Sequence, residues 1–243
     1  MSSYVFVLVV GLIAGSISGI VGSGGSIMLM PLLVYQFGPQ QAVPIMAIAG
    51  LLANFGKATA WWKDVNWRLF AVYSATSIPA AALGAKTLLT LPASAVETAL
   101  GGFFILMIPV RRWMKKHDYR IRAWQLALAG AGIGFLSGIV SSTGPLSIPV
   151  FVAAGLMKGA LLSTEALASI AILVSKVTTF SQLGALPWDV VVQGAIIGLS
   201  VMAGTYVGKF FVLRMSLHHF ELLLDGLLAV SGASLLWVGL AHQ

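Results

Sequence analysis

Residues 15–26 read Gly-Ser-Ile-Ser-Gly-Ile-Val-Gly-Ser-Gly-Gly-Ser, and residues 134–145 read Gly-Phe-Leu-Ser-Gly-Ile-Val-Ser-Ser-Thr-Gly-Pro, the same pattern 119 positions on. Each copy lies inside an apolar stretch, 4–36 and 124–157, that is too long to cross a bilayer once. As one straight helix the 33 residues of 4–36 would run ~50 Å, against ~30 Å of hydrocarbon. Glycine lets the backbone leave helical dihedrals at low cost, so each stretch is expected to bend, break or turn back near its middle. A duplicated apolar unit that opens on an interrupted helix is the sequence mark of secondary transporters, which hold a small molecule where the two broken helices meet.

Composition decides where such a chain can reside. It is 58% hydrophobic and 9% charged over 243 residues, whereas a soluble domain carries ~25% charge. The fold class this predicts is an all-α, polytopic membrane helix bundle. Stretches such as Leu69–Leu89 and Val190–Val207 reach the ~20 residues that one crossing needs. The opening Met-Ser-Ser-Tyr-Val-Phe lacks the basic start of a signal peptide, so that end is expected to be retained. With no cysteine, disulfides and thiolate metal sites are excluded. His117, His218, His219 and His242 are scattered, so no metal, cofactor or catalytic set is expected. An intramembrane enzyme, or an assembly protein without transport activity, is the competing class.

A net charge of +7 would suggest nucleic acid in a soluble protein, but six of the 14 Lys and Arg lie in Arg111–Arg122. That run divides the chain into a first repeat, 1–110, a basic cytoplasmic connector, 111–123, and a second repeat, 124–243. It can attract anionic lipid headgroups; a nucleic-acid partner is not expected. Helices are expected near 41–62, 68–90 and 94–110, and again near 161–182, 189–209 and 217–240. Lys57 falls on Lys176, Trp67 on Trp188, Gly84 on Gly208 and Glu97 on Glu221. If both broken segments turn back, the halves are inverted and Lys63, Arg68, Lys158, Lys209 and Arg214 all face inside, which the positive-inside count favours. Pro92 and Ser94 to Glu97 read as a helix start with a capping box.

The glycines carry two meanings. Gly11, Gly15 and Gly19, like Gly130, Gly134 and Gly138, are spaced by four and read as close helix packing. Around Gly22–Ser26 and Ser141–Ser147 that spacing fails and polar atoms gather. There Ser23, Gly24, Gly25 and Ser26, with Ser142, Thr143, Gly144 and Ser147, would turn N–H groups, hydroxyls and positive helix ends toward an anion. Lys57 and Lys176 stand at equivalent places in long apolar helices, where a lysine costs ~2.5–3.5 kcal/mol to insert and a bound anion would compensate it. Asn54 and Thr179 are candidate neighbours by helical spacing. Asp225 is the lone carboxylate singled out.

Gly15-x-x-Ser18-Gly19-x-x-Gly22-x-Gly24-Gly25 with Pro31, its second copy Gly134-x-x-Ser137-Gly138 through Gly144-Pro145 with Pro149, and the basic connector resemble the TauE/SafE family of membrane permeases. The resemblance covers nearly the whole chain. It implies a multi-pass transporter of the bacterial inner membrane for small anions, often sulfur-containing ones such as sulfite, thiosulfate, sulfoacetate or other organosulfonates. The lipid bilayer and that anion are the expected partners, and a homodimer is left open.

Overall fold

The computed structural model describes residues 24–60, 62–116, 120–140, 144–212 and 217–241, and every element among them is helical. In chain order these are α1 (Gly24–Phe37), α2 (Pro39–Ala60), a 3-10 turn (Trp62–Asp64), α3 (Trp67–Thr90), α4 (Ala93–Lys116), α5 (Ala123–Ile139), α6 (Gly144–Ala153), α7 (Lys158–Gln182), α8 (Trp188–Val212) and α9 (Leu217–Ala241). Gly38 and Gly155, at φ 75° and 91°, make the left-handed turns from α1 into α2 and from α6 toward α7. Asn66 caps α3, its Oδ1 accepting from Leu69 N–H at 3.1 Å.

The surface is more apolar than that of a soluble protein, and a few polar side chains are buried within the apolar core. Ser77, Thr164 and Lys176 are fully buried, while Leu83, Leu106, Leu128, Leu199 and Leu240 are exposed. Trp62, Trp67, Trp113, Trp124, Trp188 and Trp237 are all exposed, each within about one turn of a helix end. Leucine flanks with tryptophan at the rims suit hydrocarbon bounded by two headgroup layers. Ala93–Val110 and Gly159–Gln182 are long and apolar enough to cross a membrane. The expected span Leu69–Leu89 is diluted by Tyr73, Ser74, Thr76, Ser77 and Lys86, and of these Tyr73, Ser74 and Ser77 are buried. On α8 the described apolar run is Trp188–Ala203.

Helices meet at glycines. A Cβ added to Gly84 would lie 2.1 Å from the Phe135 carbonyl oxygen, one on Gly134 2.4 Å from that of Ser77, and one on Gly138 2.5 Å from that of Ala81. The four-residue stripe of α5 therefore lies backbone to backbone along α3, as its spacing suggested. Thr76 Oγ1 adds a hydrogen bond across this seam to Ala127 O at 2.6 Å. Gly11, Gly15 and Gly19 lie outside the described residues. Beyond this seam, α4 packs on α9, α2 on both α7 and α8, and α3 on α7.

Two expectations are corrected. The helix expected to stop near 110 continues to Lys116, so the first half of the basic connector is helical. Nothing between Val110 and Lys116 breaks a helix, and cations at its carboxyl end complement the dipole. Because α4 starts at Ala93, Glu97 lies too deep to close a capping box; it is buried against α9, its Cβ 3.0 Å from where a Gly239 Cβ would stand.

Candidate functional site

The second apolar stretch is not one helix. α5 stops at Ile139, Val140 is extended at φ −98° and ψ 156°, and α6 starts at Gly144 with Pro145 in its first turn, where a missing N–H costs nothing. A helix that stops inside apolar surroundings leaves carbonyls without partners. Lys176 of α7 supplies them: its Nζ donates to Ser137 O at 2.5 Å and to Val140 O at 3.2 Å. The side chain is fully buried, and no described carboxylate forms an ion pair with it. Two carbonyls accept two of its N–H bonds, and among the described residues only such dipoles are placed to balance its charge when it is protonated.

A second polar group adjoins α6. Glu165, on α7 and buried, accepts hydrogen bonds at its Oε1 from Ser147 and Ser169, both at 3.0 Å. The Ser147 proton is shared with Gly144 O at 3.3 Å, within the first turn of α6. Glu165 and Lys176 are 11 residues apart, three helical turns, and so lie on one face of α7. From α3, the fully buried Tyr73 interacts electrostatically with Glu165, and its ring stacks at a tilt on Phe151 of α6 with centroids 4.9 Å apart.

The other residues singled out from sequence are placed unequally. Gly24, Gly25 and Ser26 form the opening turn of α1 as described. Gly144 opens α6, and Ser147 is buried one turn in. Lys57 is on α2, which packs against the Lys176 helix, but its side chain lies outside what is described. Asn54 Nδ2 donates to Gly50 O at 3.0 Å, and the buried Thr179 donates to Ser175 O at 2.8 Å, both bonds within their own helices. Ser23, Ser142 and Thr143 lie outside the described residues. Asp225 is half-buried on α9.

Glu165 was missed. The signal was available, since a carboxylate seven residues into an apolar helix is as costly as a lysine there. Repeat matching passes over it because 119 positions earlier stands Met46. Tyr73 was missed because one hydroxyl on a helix carries no mark until its neighbours are known.

A family model for the sulfite exporter TauE/SafE matches residues 7–235. The chain belongs to the TauE/SafE family. A curated relative, the "Probable membrane transporter protein YjnA" of Bacillus subtilis (strain 168), is 30% identical over 159 residues, 56% of this chain. The match spans 62% of that relative's length. No solved structure matches the chain. As a TauE/SafE member the chain is a membrane protein of a permease family, and its exposed leucines with tryptophans at the helix ends agree with that.

Proposed function

We propose that this TauE/SafE member is a secondary transporter of small anions, sulfur oxyanions or organosulfonates, working by alternating access at a site between the start of α6 and the equivalent glycine-rich sequence that opens α1. The observation that carries the reading is Lys176: a fully buried ammonium with no described carboxylate partner, held at the end of one half-helix four residues before the next begins. An anion at the amino end of α6 would meet free N–H groups, the positive end of the helix dipole and that cation together. Such a site would exclude cations and suit a compact oxyanion, and Lys57 would bring the equivalent charge from α2.

Packing supports the duplicated architecture. With α1 to α4 matched in order to α6 to α9, the pairs α2–α7 and α4–α9 join like to like, and α2–α8 is mirrored by α3–α7. Left-handed glycines recur at the equivalent joints, Gly38 and Gly155. In the inverted arrangement each half makes three full crossings after its broken segment, in the inner membrane of a bacterium. A reporter fused after Gln243 is expected to be accessible only from outside intact cells; a cytoplasmic signal would exclude inversion.

During a cycle the anion would displace water from the interruption, bind while the site is open to one face, and leave when the halves rock to open it to the other. Sulfite, thiosulfate, sulfoacetate and taurine, tested singly on purified full-length protein, are expected to raise its unfolding temperature unequally. The best stabiliser should then be taken up by proteoliposomes. A panel that neither stabilises the protein nor enters vesicles, with or without a proton gradient, would exclude the reading.

A further inference from the structure

We infer that Glu165 is the proton-binding group that couples anion movement to protons, acting through the hydrogen bond that ties it to the first turn of α6. This rests on the transporter reading above. Glu165 is buried in a helix bundle whose described Lys and Arg side chains form no ion pair with it. Its Oε1 is the acceptor for both Ser147 and Ser169. Beside it the Tyr73 hydroxyl, in a residue with no exposed surface, has no hydrogen-bond partner among the described residues yet interacts electrostatically with this carboxylate. Ser74 and Ser77, also on α3, have buried hydroxyls without described partners. The two donating hydroxyls stand in for water around this buried carboxylate, and the phenol is the neighbouring polar group without a described partner.

Besides Glu165, the buried described groups nearby that can exchange a proton are Tyr73 and Lys176, so substitutions and not the wild type alone assign the proton. Of the elements packed on α7, α5 and α6 carry no titratable residue, α2 carries Lys57, and the 3-10 turn carries Lys63 and Asp64, both exposed. α3 contributes Tyr73 and the exposed Arg68 and Lys86. On α7 itself Lys158 is at the amino end and Lys176 three turns away from Glu165.

Position gives the sign. Ser147 is the fourth residue of α6, so an ionised Glu165 places negative charge beside the helix end proposed to receive the anion. Two like charges a turn or two apart in protein repel by an amount that corresponds to roughly 10- to 100-fold in affinity. A proton on Glu165 removes the repulsion. Anion and proton therefore bind together: affinity rises as pH falls, and anion binding draws in a proton by reciprocity. No counterpart exists in the first half, where Met46 stands, so one proton accompanies each anion.

The test uses full-length protein in nanodiscs and thiosulfate, which stays ionised throughout, between about pH 5.5 and pH 8.5. Wild-type affinity is expected to fall roughly tenfold or more as pH rises. Calorimetry in buffers of different ionisation enthalpy should show a maximum of roughly half to four-fifths of a proton taken up per anion within that range. Glu165→Gln, which mimics the protonated acid, should bind thiosulfate tightly throughout with no proton uptake. If that variant does not fold, Lys176→Met is measured beside wild type: uptake that persists without the lysine supports Glu165, whereas uptake lost with the lysine, or anion binding without protons, overturns the inference. So does a Glu165→Gln variant as pH-dependent as wild type, or an affinity set by Na⁺ and indifferent to pH. Failure of thiosulfate, sulfite and sulfoacetate all to bind at any pH overturns the transporter reading itself, and the coupling with it.

Discussion

Gly138→Val is expected to leave almost no folded protein in the membrane. A Cβ at this position would stand 2.5 Å from Ala81 O, 2.6 Å from Ala85 N and 2.6 Å from the Gly84 carbonyl carbon. All three are backbone atoms, so no rotamer change relieves the contact and α3 and α5 must separate along their length. Overpacking a well-filled interior costs ~1–3 kcal/mol where side chains can adjust. Here valine adds three carbons against rigid backbone, so the loss is expected at or above the top of that range, a large part of a total stability of ~5–15 kcal/mol. The Thr76 bond to Ala127 O would be lost as well. Gly132→Ala is the control: it lies on the same helix, and a Cβ there meets nothing within 4 Å. Size-exclusion profiles of fluorescent fusions should show a monodisperse peak for Gly132→Ala and loss of the peak for Gly138→Val. A well-folded Gly138→Val protein would contradict the backbone seam.

Lys176→Met should separate binding from folding. The substitution removes two charge-assisted hydrogen bonds, to Ser137 O and Val140 O, each worth ~1.5–3 kcal/mol. It also removes a buried ammonium whose insertion costs ~2.5–3.5 kcal/mol. These terms oppose each other, so the net stability loss is expected to be at most about 3.5 kcal/mol, a shift of roughly ten degrees or less in unfolding temperature. Anion affinity has no such offset. A unit charge ~4 Å from an anion contributes about 4 kcal/mol at an effective dielectric near 20, which corresponds to a loss of roughly 10²- to 10³-fold. Lys57→Met should weaken binding in the same direction. Paired measurements of unfolding temperature and thiosulfate or sulfite affinity check this. A lowered unfolding temperature with unchanged affinity would reduce Lys176 to a cap on α5 and remove it from the site.

Much of the fold was readable from local chemistry. That α5 stops at Ile139 and α6 starts at Gly144 agrees with a stretch too long for one crossing, and the α3–α5 contact follows from Gly130, Gly134 and Gly138 spaced by four. The end of α4 was not, because a positive run reads equally as a loop or as the charged end of a helix. Of the site, Lys176 stood out, since a lone charge in apolar sequence must find partners. Which partners it finds depends on where α5 stops relative to α7, and no local pattern encodes that. Glu165 was hidden by symmetry itself: matching the halves draws attention to residues present twice, and the coupling proposed for it depends on a residue present once.

The glycine contacts also distribute stiffness. α3 meets α5, α4 meets α9 and α2 meets α8 through positions such as Gly134, Gly101 and Gly194, where added carbon would strike backbone within 3.0 Å. α2 meets α7 differently: a Cβ added to Gly50 would meet the methyls of Leu173, the nearer at 3.1 Å, and a leucine side chain can turn aside. Sliding along the first three contacts drives backbone into backbone, while sliding along the fourth only reorients a leucine. The contact between the two lysine helices is therefore the one with room to give, so a movement confined to α2 against α7 would change the space next to Lys176 while the three stiff contacts between the halves hold.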